Sequence, residues 1–107
     1  MKPVRRRVLA REDIKRPVAH YLEQAGGDLV DRFVDALESA TQQLERHSRS
    51  GSPHIAEEVG IPGLRSWRLG RFPYAFFYYD RPDEVYIWRV LHVTRDFSAQ
   101  VGGEPES

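Results

Sequence analysis

At 107 residues and with no cysteine, the chain has room for one domain, and none for an α/β barrel or a cofactor domain joined to a substrate domain. The missing thiols exclude disulfides, thiolate zinc sites and a cysteine nucleophile. Sixteen Lys and Arg balance sixteen Asp and Glu, and the pI of 6.9 argues against nucleic-acid binding through overall charge alone.

A chain of this length buries roughly 60–70% of its unfolded surface, so a core can form without staples. The opening Met1-Lys2-Pro3-Val4-Arg5-Arg6-Arg7 is basic like a secretory leader, but only Val8-Leu9-Ala10 follows before Arg11-Glu12-Asp13. That is far short of an apolar stretch of about 7–15 residues. No stretch is long and apolar enough for a membrane helix, so a cytoplasmic protein without membrane contact is the expectation.

In chain order, Val4 to Leu9 reads as a first strand around the Arg5-Arg6-Arg7 run. From Asp13 the period changes: Ile14, Val18, Tyr21, Leu22 and Ala25 make one apolar stripe of a helix. With Asp13 as its N-cap, Pro17 falls on an N–H that lacks an intrahelical partner anyway. Gly26-Gly27 ends this helix and Asp28 caps the next. In the second helix Val30, Phe33, Val34, Leu37, Ala40, Thr41 and Leu44 form a stripe about four turns long. Ser48 to Pro53 then reads as a flexible loop.

Everything after Gly63 reads as sheet. A short strand lies around Trp67 and Leu69, a turn spans Gly70 to Pro73, and Tyr74 to Tyr79 is a dense aromatic strand. Arg81-Pro82-Asp83-Glu84 suits a type I turn, and Val85 to Val93 is a strand apolar on both faces, hence central. The order is β-α-α-β-β-β: an α+β domain over residues 1–100, with a helical hairpin packed on a mainly antiparallel, twisted sheet. Residues 101–107 read as a flexible tail.

Little in this sequence supports small-molecule catalysis. His20, His47, His54 and His92 fall in no metal-ligand spacing, and no nucleophile elbow or P-loop occurs, so no metal or cofactor is expected. Charge becomes informative once it is split. Residues 11–46 carry five bases against eight acids, a net of −3; residues 61–95 carry six arginines against three acids, a net of +3. Arginine matters here because its planar fork grips phosphate or carboxylate bidentately and stacks on aromatics. The same charges also suit solvated strand faces paired with the acids of the helices. Ten of the twelve aromatics fall in the sheet half. Mostly they are core, but a strand aromatic on both faces cannot hide both under one helical hairpin, which leaves surface for a partner.

Three segments carry a resemblance: Gly63-Leu64-Arg65-Ser66-Trp67-Arg68-Leu69; Arg71-Phe72-Pro73-Tyr74 with Phe77-Tyr78-Tyr79; and Trp88-Arg89-Val90-Leu91-His92-Val93-Thr94-Arg95-Asp96. Together they resemble the RelE/ParE toxin superfamily, and its ParE branch in particular, over roughly residues 4–100. The resemblance implies the toxin of a type II toxin–antitoxin module, neutralised by a small antitoxin that wraps an extended or helical segment over it. ParE-type members poison DNA gyrase, while RelE-type members cleave mRNA on the ribosome using a terminal tyrosine. Here Asp96 is followed by Phe97-Ser98-Ala99-Gln100-Val101, with no Tyr, His or Lys. The resemblance therefore favours a gyrase inhibitor that binds without catalysis, with nucleic acid met only indirectly through antitoxin or gyrase–DNA complex; a RelE-like endoribonuclease is the alternative. Arg65, Trp67, Arg68, Arg71, Phe72, Arg89, His92 and Arg95 are the expected target contacts. Phe76, Tyr78, Tyr86 and Trp88 are those for the antitoxin, in a hetero-oligomer of toxin and antitoxin.

Overall fold

The computed structural model describes residues 1–93; Arg95 and the tail at 101–107 lie outside the described residues. Its elements are β1 (Val4–Arg6), α1 (Val8–Ala25), α2 (Gly27–His47), a 3-10 turn (Ser48–Ser50), α3 (His54–Val59), β2 (Leu64–Arg68), β3 (Tyr74–Asp80) and β4 (Val85–His92). The expected β-α-α-β-β-β order holds, with α3 added between the hairpin and the last three strands.

The sheet runs β1-β4-β3-β2, with β1 parallel to β4 and the other pairs antiparallel. β4 is central, as its two apolar faces require, and every residue of it is buried. One face packs under α1 and α2 through Phe33, Leu37, Leu44, Phe76, Tyr78 and Ile87. The other face holds Leu64, Phe77, Tyr79, Tyr86, Trp88 and Leu91, against which Ile55, Ala56 and Val59 of α3 pack. This corrects the expectation that one face would be left for a partner: the chain supplies its own cover in α3. Side chains of the arginine run add to it, with Arg7 lying 5.2 Å from the ring of Trp88. Tyr86 is held between Arg5 at 4.6 Å and Arg81 at 4.3 Å.

Three boundaries differ from the sequence reading. β1 stops at Arg6, and Val8-Leu9-Ala10 already belongs to α1, where Ala10 is fully buried. Asp13 is therefore inside the helix and caps nothing; its carboxylate is spent on β4. Pro17 lies in the middle of α1 and removes the N–H that would bond the Asp13 carbonyl, a cost the buried ring accepts by joining the packed side. Between α1 and α2 the break falls on Gly26, whose φ of 74° is open to glycine and strained for other residues. Its N–H still closes α1 onto the Leu22 carbonyl, and Asp28 sits in the first turn of α2, where a carboxylate suits the helix dipole.

The Ser48–Pro53 segment is pinned where the sequence reading has a flexible loop. Ser52 exchanges two backbone bonds with Ser66 of β2, both 3.0 Å. The Tyr78 hydroxyl donates to the Ser48 carbonyl at 2.7 Å, and burial pushes that phenol up to about 12. Gly51 passes so close over Tyr78 that any Cβ would overlap the phenol.

Candidate functional site

Five of the eight expected target residues come together on one edge of the sheet. Pairing of Trp67 with Phe76 and Arg65 with Tyr78 turns Arg65 and Trp67 toward the helical hairpin, and the alternation of a strand sends Arg68 to the other face. Trp67 is half-buried, and its indole N–H donates to Gln43 of α2 at 3.1 Å. Phe72, in the turn after β2, wedges into the hairpin against Tyr21 at 5.2 Å and Phe33 at 5.1 Å. Both are rigid aromatics presented by packed neighbours.

The arginines around them differ in how far they are committed. Arg65 uses one amino group on two backbone carbonyls, those of Arg49 at 3.0 Å and Gly51 at 2.9 Å, so it ties the pinned segment to β2. Arg68 is exposed; its Nε donates to the Phe72 carbonyl at 3.0 Å, and no carboxylate pairs with it among the described residues. Arg71 is exposed in the turn and makes neither hydrogen bond nor ion pair among the described residues. Two unneutralised guanidiniums thus flank the half-buried Trp67 and Phe72. The backbone of Arg68 also points off the sheet, because Ser66, two residues earlier, bonds outward to Ser52.

Arg89 and His92 are placed elsewhere. A register shift between Phe77 and Tyr78 leaves Trp88 without a partner across β3, and beyond it Arg89 reaches α1. There it forms a fork onto Asp13, with Nε and Nη2 donating at 2.7 and 2.8 Å, while the Val90 N–H donates to the same carboxylate at 3.0 Å. Both side chains are nearly buried, at 7% and 12% exposure. His92 is 8% exposed and meets the Tyr74 ring edge-on at 5.2 Å. A small cavity of about 80 Å³ opens beside the pair, lined in part by Arg16, Pro17 and Tyr74. Asp13 was invisible to sequence reasoning as a partner of Arg89, since 76 positions separate them and its local context imitates a helix cap.

The four aromatics expected to meet an antitoxin are all buried by the chain itself. Phe76 and Tyr78 are sealed under α2 at 0% exposure, with Phe76 directly opposite Trp67 in the sheet. Trp88 is sealed on the opposite face, and Tyr86, at 9%, sits inside its pair of arginines. Glu84 completes that corner by accepting from Arg5 at 3.0 and 2.9 Å and from Arg81 at 3.0 Å. The bonds from Arg5 foremost, then those from Arg81, hold its carboxyl down at about 2.

Among the described residues no three His, Asp or Glu side chains gather to hold a metal ion, and no helix is long and apolar enough to cross a membrane. What the edge offers chemically is adhesion: fixed aromatic area and unpaired cations.

Comparison with known proteins agrees with this architecture. A family model described as the ParE toxin of the type II toxin–antitoxin system parDE matches residues 4–97. No curated protein matches the sequence. Among solved structures, the chain is similar to one from the "Chromosomal ParDE TA system from P. aeruginosa", with a TM-score of 0.72. The two are 22% identical, and the match covers 87% of this chain and 97% of that one. At this identity the likeness establishes the fold.

Proposed function

The chain belongs to the ParE toxin family of type II toxin–antitoxin systems, and from that membership we propose that it inhibits DNA gyrase by binding it and is silenced by a cognate antitoxin. The observation that carries this reading is the β2 edge. Arg68 and Arg71 stand exposed and unneutralised beside Trp67 and Phe72, whose rings are fixed by Gln43, Tyr21 and Phe33. Arginine and tryptophan dominate interface hot spots, and anchors held rigid before binding lose little entropy on it.

The environment of His92 supports binding over catalysis. A base must reach the proton it removes, and His92 is enclosed against Tyr74 within the sheet. Arg89, committed to Asp13, likewise acts from within by fixing α1 on β4. The antitoxin covers the same edge, meeting Arg68 and Arg71 with carboxylates, while Phe76 supports Trp67 from beneath. Gyrase as the target makes the cytoplasm the place of action.

The test is to induce the chain without its antitoxin in bacterial cells, then to assay gyrase-trapped DNA breaks alongside ribosome-dependent mRNA cleavage. Trapped breaks with intact mRNA are expected. Cleaved mRNA with normal supercoiling would overturn the reading in favour of a RelE-like endoribonuclease, and the absence of any growth defect would overturn toxicity itself.

A further inference from the structure

We infer that the strip where α2 ends and turns toward β2 docks the phosphate backbone of duplex DNA directly. This goes beyond the gyrase reading and does not depend on it. Two adjoining surface depressions lie here, of about 360 and 220 Å³, and they share Arg46 and His47. The larger continues past Arg49 to Ser50; the smaller runs back along α2 over Gln43 to Ser39. Together they make a shallow polar channel along one end of the molecule.

The cations in it are available. A helix C-terminus carries partial negative charge that normally occupies the basic side chains of its last turn. Here other donors take part of that role: the Lys2 N–H bonds Glu45 O in the last turn of α2 at 3.0 Å, and beyond the helix the Tyr78 hydroxyl bonds Ser48 O at 2.7 Å while Arg65 bonds Arg49 O and Gly51 O. The side chains of Arg46, His47 and Arg49 are exposed and form no ion pair among the described residues.

Charge and composition identify the ligand class. From Ser39 to Ser52 the only carboxylate is Glu45, half-buried at the Lys2 end of the larger depression. On the preceding part of α2, Glu38 and Asp35 stand about 12 and 16 Å up the axis from Arg46, beyond the roughly 8–10 Å over which exposed charges interact in physiological salt. A protein partner would need an apolar or aromatic centre. This strip offers no such cluster: Leu44 is fully buried, and a single exposed side chain, Met1 at one end of the larger depression, is not an aromatic or packed apolar centre. Arginine, serine and glutamine, which make up most of the strip, are side chains that position phosphate. A neutral chain can therefore hold DNA at one strip, with the acids of α2 other than Glu45 gathered toward the other end of that helix.

The experiment titrates the purified full-length chain into a labelled mixed-sequence DNA duplex of about 20 base pairs, by fluorescence anisotropy, between 50 and 200 mM salt. Binding that weakens with salt is expected, and Arg46→Gln with Arg49→Gln should lower the log–log salt slope by about 2, near 0.9 per lost phosphate contact. Arg11→Gln with Arg32→Gln, which removes the same charge elsewhere, should leave the slope unchanged. No gyrase is present, so failure here leaves the gyrase reading standing. The proposal is overturned by absence of binding at 50 mM salt, by equal loss in the control pair, by loss confined to Arg68→Gln with Arg71→Gln, or by equally tight binding of poly-glutamate.

Discussion

Replacing Asp13 with alanine should unfold the molecule more than any change of similar size on the surface. In the native state this carboxylate accepts three bonds, two from the Arg89 fork at 2.7 and 2.8 Å and one from the Val90 N–H at 3.0 Å. Its removal takes two charge-assisted bonds from a guanidinium that is only 7% exposed and one from a strand amide, and breaking one partner of a buried pair costs about 3–5 kcal/mol. Against a total stability of about 5–15 kcal/mol, even the lower figure is a large fraction. It corresponds to a fall in Tm of roughly 12–24 °C, at about 4–8 °C per kcal/mol for a chain near this size. Urea unfolding followed by circular dichroism and tryptophan fluorescence measures the loss. Asp13→Leu combined with Arg89→Met should recover at least half of it, because an apolar pair of similar volume no longer leaves a buried charge. A single variant within about 1 kcal/mol of the parent, or a double variant no better than the single, would refute this account of how α1 is held.

Other expectations follow from the same geometry. Gly51→Ala drives a methyl into the Tyr78 phenol, while Tyr78→Phe leaves the Ser48 carbonyl without its donor; each should cost about 1–3 kcal/mol in the same unfolding assay. Glu84 is held at about 2 by Arg5 and Arg81, below its unfolded value. Its contribution to stability is therefore present above about pH 4.5 and lost as the pH falls toward 2. Urea midpoints taken from pH 5 to pH 2.5 should fall less steeply in Glu84→Gln than in the parent, and parallel slopes would refute the role of this corner. Arg68→Ala with Arg71→Ala should abolish growth inhibition on induction while changing stability by no more than about 1 kcal/mol, since both side chains are exposed. Full toxicity in that variant would move the target contact away from the β2 edge.

The sheet and α2 were legible because their signals are local. Tyr74 to Tyr79 and Val85 to Leu91 are apolar on both faces, and one stripe from Val30 to Leu44 has helical period throughout. The start of α1 was not legible. Val8 and Leu9 resemble the end of a strand and Asp13 resembles a cap, and only Arg89, far along the chain, decides otherwise. α3 escaped for the opposite reason: six residues are too few to show a period, and they are helical because Ile55, Ala56 and Val59 can pack on Trp88 and its neighbours. That helix then alters the site, since it and the arginine run cover a face that aromatic content alone assigns to a partner. The arginines of β2 and the turn after it were legible as residues; their different commitments, Arg65 to the Arg49 and Gly51 carbonyls, Arg68 to that of Phe72 and Arg71 to solvent, depend on where the chain folds back.

The most direct test of the central claim uses purified components: the chain, DNA gyrase, ATP and relaxed plasmid. The account expects supercoiling to fail as the chain is added, with linear plasmid appearing when gyrase is denatured, and neither effect with the Arg68→Ala, Arg71→Ala variant. Unimpaired supercoiling at a large excess of the wild-type chain, together with cleavage of ribosome-bound mRNA by the same preparation, would contradict it.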